Sequence, residues 1–543
     1  MSVGIFELPT PTNEPVRNYA PGSSERRSLQ AELSRQTSHV VEIPCIIGGQ
    51  SVFTGDTVDI TMPSDHHHVL ARLHLGRERD IDAAIQAAED ARHDWAALPM
   101  EHRLAIFLKA ADLLAGPWRD RVNAACMLGQ AKTVYQAEID AACELIDFWR
   151  FNTFYADKIA REQPPRHSPG TWNRLEYRPL DGFIYAVAPF NFTSIAVNLP
   201  TAPAMMGNTS VWKPAVTSAL SCWYLAQLLE KAGLPPGVLN MVNGHGPDIS
   251  QKVLNRPELA GIHFTGSTNV FQSMWKAVGD NISRYRQYPR LVGETGGKDF
   301  ILAHPSADPV ALSVAILRGG YEYQGQKCSA ASRVYIPASL WDEVRDRTLG
   351  GLADMKQGDV RDFTNFVSAV IDKRAYKKHL EYLDLAHNTA TVLAGGGGDD
   401  STGWYIEPTF VRVDDPKHRL MTEEIFGPVV TAYVYDDSRW NQTLQLVDTT
   451  SPYALTGAIF ANDRRALAHA EQALRGAAGN LYLNDKPTGA VVGQQPFGGG
   501  RASGTNDKAG SAAHLLRWTS PRTIKETFVP ATDWRYPFLE SDE

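Results

Sequence analysis

The run Phe183-Ile184-Tyr185-Ala186-Val187 is unbroken by any charge. Five apolar residues, rich in β-branched and aromatic types, read as a short strand buried on both faces rather than as a helix. Similar runs return at residues 210–212, 238–242 and 261–264, and a helical pattern over 220–232 stops at Gly233. Strands alternating with helices predict βαβ units on a parallel sheet. From about Glu294 the alternation restarts, with strand-like runs at 300–302, 333–336 and 429–434. The predicted class is α/β, with two domains of this kind.

Upstream, residues 80–98 predict an amphipathic helix with Ile81, Ile85, Ala88 and Trp95 on one face. A second helix follows around Leu104–Leu114 and ends at Gly116-Pro117, and a third is predicted over 133–152. Residues 161–178 turn to Pro, Arg, His and Gly and read as an excursion from the main body. The four-glycine run Gly395–Gly398 reads as a surface turn, and His66–His68 as a solvated loop rather than a metal site.

The 543 residues are 43% apolar and 21% charged, with a formal charge of −8. A chain of that size divides into two or three domains and buries a large core without disulfides. The acidic balance argues against a nucleic-acid or membrane-surface partner. No apolar run reaches the roughly 18 residues of a membrane span. The first 36 residues are polar and contain Glu7, Glu14 and Glu25, unlike a signal or transit peptide. A bacterial cytoplasm is the first expectation for location, a mitochondrial matrix the second. Five scattered cysteines without a CxxC pair suggest neither a disulfide frame nor a metal site.

A dinucleotide fingerprint is sought first as GxGxxG. Gly244-His245-Gly246 follows a strand, but Ile249 occupies the third glycine position. A second candidate is Gly266-Ser267, at the junction of a strand and a helix whose N-terminus would offer free amides to a pyrophosphate. Downstream, Gly293-Glu294-Thr295-Gly296-Gly297-Lys298 sets one carboxylate among glycines. Then Gly325-Gln326-Lys327-Cys328-Ser329 sets a thiol in a polar, basic context, where Lys327 is expected to favour the thiolate.

These segments, together with Pro189-Phe190-Asn191-Phe192, Trp212-Lys213-Pro214 and Glu423-Glu424-Ile425-Phe426-Gly427-Pro428, resemble the aldehyde dehydrogenase superfamily. They occur in the family's order and span about residues 80–520. Gln136-Ala137-Glu138-Ile139-Asp140, Phe271, Phe497-Gly498-Gly499 and Arg501–Lys508 resemble, more narrowly, the branch that oxidises L-glutamate γ-semialdehyde in proline degradation.

The resemblance implies two Rossmann-type α/β domains plus a β oligomerisation flap. It implies NAD as cofactor, with NADP as the alternative, since Val216 stands where NAD-preferring relatives carry a ribose-binding Glu. Cys328 would attack the aldehyde, the Asn191 amide and the Cys328 N–H would hold the oxyanion, and Glu294 would be the base for thioester hydrolysis. Lys213, Gly266, Ser267, Glu424, Phe426, Pro189 and Phe190 would face the cofactor. Ser329, Gly489, Ala490, Phe497, Lys327 and Glu144 would face the substrate, with Glu144 toward its amine. No metal is implied.

The implied organisation is a polar arm (1–36), a nucleotide-binding domain (37–160 and 182–293), a catalytic domain (294–518), and a flap and tail (161–181 and 519–543). A tail strand over 523–529 would serve a homodimer or a higher homo-oligomer. One dehydrogenase unit consumes the whole length, so proline dehydrogenase is expected on a separate chain. The rival readings are another semialdehyde dehydrogenase, an inactive scaffold on the same fold, and a thiol hydrolase. The last would need a His partner for Cys328 and would leave the cofactor motifs unexplained.

Overall fold

The computed structural model describes residues 6–541. Its centre is two seven-stranded sheets. In the first, the spatial order is Arg290–Glu294, Leu259–Thr265, Phe183–Val187, Thr209–Lys213, Leu239–Met241, Cys45–Ile47 and Gln50–Val52. The first five are parallel, and the two N-terminal strands join antiparallel. Along Phe183–Val187, Ile184 and Ala186 enter one apolar cluster while Phe183, Tyr185 and Val187 enter another. The period of two thus feeds a helical layer on each face, which is why the run carries no polar residue.

The second sheet repeats the plan, in the order Thr391–Ala394, Thr409–Val413, Val429–Tyr435, Ala331–Pro337, Asp299–Ala303, Thr456–Phe460 and Asn480–Leu483. Phe300 and Leu302 enter one cluster, Ile301 and Ala303 another. Only Thr391–Ala394 pairs antiparallel.

The strands predicted from the sequence are present: Phe183–Val187 has the predicted bounds, the run 238–242 shortens to Leu239–Met241, and the others in the two large sheets lengthen by one or two residues at an end. Four readings need correction. The helix predicted over 133–152 starts at Val134 and continues to Arg161, interrupted by a π-helical segment, Glu138–Glu144. His66–His68 lies within the strand Asp65–His74, where His66 stacks on Trp404 at 4.3 Å. The tail strand runs Ser520–Thr527, so Phe528 and Val529 fall beyond it. The polar N-terminal stretch is not free of the core: it ends in a helix, Ser24–Thr37, whose Leu29 and Leu33 are buried in the main cluster with Tyr19. Two apolar residues a turn apart anchor this otherwise polar helix, too sparse a stripe to announce itself.

Thr171–Arg178 pairs with Ser520–Thr527 along its full length and with no other described strand. A two-stranded ribbon is marginal in water, and both of its outer edges carry unpaired backbone groups. Gly395–Gly397 link Thr391–Ala394 to the short strand Gly398–Asp399, so the fourth glycine of the run belongs to that strand rather than to the surface connection. No described helix is long and apolar enough to cross a membrane.

Candidate active site

Consecutive strands of the first sheet lie on one side of Phe183–Val187 until the chain crosses over at Leu259–Thr265 to the other side. A parallel sheet opens a crevice at the carboxyl ends of its strands where the direction of winding reverses. Pro189, Phe190 and Asn191 leave the end of Phe183–Val187, Lys213 ends the adjacent strand, Gly266 and Ser267 follow Leu259–Thr265, and Glu294 ends the last. One sheet edge therefore gathers residues spread over more than a hundred positions. Ser267 occupies the N-cap position of the helix Thr268–Asp280 without a side-chain capping bond. Gly244-His245-Gly246 leads into another helix at the strand Leu239–Met241, and Ile249 is buried against Gly244.

Asn191 is held from two sides. The carboxylate of Asp140, on the π segment, accepts from the backbone N–H of Thr193 (3.0 Å) and of Ser194 (2.9 Å), capping the helix Thr193–Met205. Lys132 Nζ donates to the same carboxylate at 2.6 Å, and Gln130 Nε2 donates to the Phe190 carbonyl at 2.5 Å. Asn191 Nδ2 then donates to the carbonyl of Gln326 at 3.0 Å, which sets the amide beside the loop that carries Cys328. An amide nitrogen has two donor hydrogens, so the second is free for an oxyanion. Asp140 and Lys132 are fully buried supports of this arrangement. Sequence reasoning passes over them, although Asp140 lies inside one of the quoted motifs.

The approach to Cys328 is left-handed. Tyr323, Gln324 and Gly325 have φ of 51°, 54° and 65°. For the two non-glycine residues this costs about 1–2 kcal/mol each. Buried hydrogen bonds offset it: Gln324 Nε2 donates to the carbonyls of Ala131 (3.1 Å) and Ala369 (2.7 Å), and Lys132 Nζ sits 4.6 Å from the Tyr323 ring centre. Cys328 is partly exposed, whereas the other four cysteines are buried.

The thiol does not behave as its neighbour suggested. Lys327 Nζ turns away to Glu322 at 3.0 Å, and Glu322 also accepts from Lys486 at 3.0 Å. Burial, then the surrounding carboxylates Glu294, Asp299, Glu424 and Glu144, push the Cys328 thiol well above its usual range. The expectation that Lys327 favours the thiolate is not met: its ammonium is directed at Glu322, and burial with the surrounding carboxylates prevails at the thiol. Burial also lifts Glu294 to about 8, assisted by Asp507 and opposed by Lys508. A carboxyl with that pKa is a stronger base than an ordinary carboxylate, and it acts in the fraction of molecules in which it is deprotonated.

On one side Cys328 opens into a cavity of ≈ 430 Å³. Ser329, Gly489, Ala490, Phe497, Lys327 and Glu144, the six residues assigned to substrate from the sequence, all line it. Ser329 Oγ pairs with Thr488 Oγ1 at 2.8 Å, and Gly489 needs its freedom for φ of 98°. Glu144 ends the π segment, accepts from Ser194 Oγ at 3.0 Å, and is raised to about 8 by burial and by Asp140. Missed by sequence reasoning are Asn13, Glu14 and Val16 from the N-terminal stretch, which also line this cavity.

On its other side Cys328 borders a crevice with Gly297, Glu424 and Phe426. Phe426 (φ 60°) meets Phe190 edge to face, with ring centres 5.7 Å apart. Glu424 Oε1 accepts from the Gly297 N–H at 2.9 Å, and Oε2 has no hydrogen-bond partner among the described residues. Lys213 is buried, is lowered to about 8 by burial, and donates only to the Pro214 carbonyl (3.2 Å). Glu424 lines this crevice and Lys213 ends a strand at the carboxyl edge of the first sheet; a buried ammonium and a carboxylate oxygen, both with hydrogen-bonding capacity left over, fit the hydroxyl-rich riboses of a dinucleotide. Val216 offers no acceptor for a ribose hydroxyl.

Sequence comparison agrees with this geometry. The pattern of the "Aldehyde dehydrogenase family" matches residues 52–524, and the chain belongs to that family. A delta-1-pyrroline-5-carboxylate dehydrogenase of Dictyostelium discoideum, described as mitochondrial, is 50% identical, covering 99% of this chain and 97% of that one. The Homo sapiens enzyme of the same name is 47% identical, over 97% of this chain and 94% of its own. The crystal structure of the delta-pyrroline-5-carboxylate dehydrogenase from Mycobacterium tuberculosis bound with NAD superposes with a TM-score of 0.96 at 54% identity, over 99% of this chain and 100% of that one.

Proposed function

We propose that this protein oxidises L-glutamate γ-semialdehyde, the open form of 1-pyrroline-5-carboxylate, to L-glutamate, with NAD as hydride acceptor. The observation that carries the reading is the single cavity that Cys328 shares with all six residues assigned to an amino-acid semialdehyde by their sequence motifs. Residues 37–160 and 182–293 form the nucleotide-binding unit, 294–518 the catalytic unit, and 161–181 with 519–543 the assembly flap of a homo-oligomer.

Cys328 gives up its proton to solvent water, and its sulfur attacks the aldehyde carbon, forming a C–S bond as the C=O π bond opens. The carbonyl oxygen becomes an oxyanion, held by the free Asn191 N–H and the backbone N–H of Cys328. The nicotinamide, when bound, supplies the acceptor for the departing hydride. Lys213, Gly266, Ser267, Glu424, Phe426, Pro189 and Phe190 hold that cofactor. The resulting thioester on Cys328 is cleaved by water, whose proton passes to Glu294 as the C–O bond forms and the C–S bond breaks. Ser329 and the backbone of Gly489 and Ala490 take the α-carboxylate, Phe497 covers the aliphatic chain, and Glu144 takes the amine. Because its own burial keeps it nearly neutral, Glu144 is well suited to gain charge only when an ammonium arrives.

The test follows formation of reduced cofactor by absorbance with glutamate semialdehyde, succinate semialdehyde and NADP as comparisons, for the natural protein and Cys328→Ala. Turnover of glutamate semialdehyde that the substitution abolishes supports the reading. Turnover confined to succinate semialdehyde replaces the substrate, and none with any aldehyde overturns the catalytic reading.

A further inference from the structure

We propose that Asn13–Val16 act as a specificity strap: this N-terminal segment forms one wall of the aldehyde cavity, and Asn13 ties together the two elements that grip the substrate. The inference rests on the function proposed above and adds the part that discriminates among aldehydes.

Three of the four residues, Asn13, Glu14 and Val16, line the cavity that Cys328 opens into. They arrive there by specific bonds. Asn13 Nδ2 donates to Asp147 Oδ2 at 2.8 Å and to the Val492 carbonyl at 2.7 Å, and Asn13 Oδ1 accepts from Gln494 Nε2 at 2.9 Å. Asp147 lies in the first turn of the helix Leu145–Arg161, which begins directly after Glu144. Val492 and Gln494 belong to the loop that begins with Gly489 and Ala490. One side chain thus joins the wall that meets an amine to the wall that meets a carboxylate.

The strap is anchored along the same helical stretch. The Glu14 N–H donates to Asp147 Oδ1 at 2.7 Å, the Arg17 N–H to Glu138 at 2.8 Å, and the Leu8 N–H to Asp157 at 3.3 Å. The Glu14 carboxylate pairs with Arg119 at 2.5 Å and Arg150 at 2.8 Å. Three carboxylates of one helical stretch therefore receive backbone amides of the N-terminal segment. Charge-assisted bonds of this kind give a defined path to a chain that has little apolar surface of its own here. The energy of so many bonds is spent on holding polar backbone over an opening, where core packing gains little. Val16 remains 49% exposed.

The test uses the full chain. Asn13→Ala removes the stitch but leaves the ion pairs of Glu14. Val16→Trp keeps every bond and narrows the cavity from an exposed position, so it does not threaten folding. For each, kcat and KM are measured with glutamate semialdehyde and with hexanal. Asn13→Ala is expected to raise KM for glutamate semialdehyde about tenfold, with kcat changed by less than about twofold, and to shift the kcat/KM ratio toward hexanal by about tenfold or more, the size of effect that a pocket wall exerts. Val16→Trp is expected to shift the ratio the other way. A ratio unchanged in both variants, with thermal transitions like that of the natural protein, overturns the strap. Failure of the natural protein to oxidise glutamate semialdehyde overturns the underlying function instead.

Discussion

Gly296 lies so close to Glu424 that a Cβ built on it would sit 2.7 Å from the carboxylate. The two residues are 128 positions apart, and the missing side chain is what lets the carboxylate reach the Gly297 N–H. Gly296→Ala should push the flexible end of Glu424 aside rather than disturb backbone. We expect KM for NAD to rise about tenfold, the cost of misplacing one charged hydrogen-bonding group. Thermal stability should change little. Titration of the protein with NADH, followed by fluorescence, checks the affinity separately from turnover.

The two chemical halves of the reaction separate by substitution. Cys328→Ala should cut turnover by about 10⁴-fold or more, since residues acting as a unit fail together. Glu294→Gln should still form the thioester but release it slowly. Rapid mixing should then show about one equivalent of reduced cofactor in a burst, followed by a slow steady phase. Equal loss of both phases would remove Glu294 from the hydrolytic step.

Acidity offers a second view of Glu294. Its carboxyl is raised to about 8, and a base works only when deprotonated. In the natural protein the hydrolytic rate should therefore climb as pH rises through 8, and Glu294→Gln should lose that limb. A pH profile of single-turnover hydrolysis decides it.

The same burial has a sign for stability. Glu144 is raised from 4.5 in the ordinary carboxylate range to about 8 in the folded state. Between those values the folded chain binds the extra proton, so the stability this group contributes is full below pH 4.5 and is lost as pH rises to 8. Glu144→Gln removes the liability, and its melting temperature should exceed that of the natural protein by more at pH 8.5 than at pH 6. Activity with glutamate semialdehyde should fall in the same variant, through KM.

Ser520–Thr527 is the sole described strand paired with Thr171–Arg178. Trp172 beside it is 52% exposed, and Trp534, Tyr536 and Phe538 of the tail are largely exposed. Exposed aromatic side chains and open strand edges call for a partner. Ending the chain after Thr519 should reduce the mass in solution to that of a single chain by analytical ultracentrifugation. An unchanged mass would place the assembly surface elsewhere.

Local patterns made much of this protein legible. A run such as Phe183–Val187 has one way to be stable, as a strand covered on both faces, and the alternation of such runs with helices leaves a parallel sheet as the answer. Cys328 and Glu294 stood out because each lies among glycines and polar residues that have no packing rationale, whereas Asn191 and Glu424 were legible only through the family resemblance of the motifs that carry them. What stayed hidden depends on partners far away in the chain. Whether Lys327 would assist the thiol turned on Glu322, which claims its charge. Asp140 looked like one acid among many until the helix start at Thr193 came to rest on it. The N-terminal stretch looked like a solvated arm because its apolar residues are few, and its place at the cavity is secured by hydrogen bonds to Asp147, Glu138 and Asp157. Hydrophobic periodicity is written locally and survives in the sequence, whereas the pairing of one buried charge with another is decided only when the chain has closed around both.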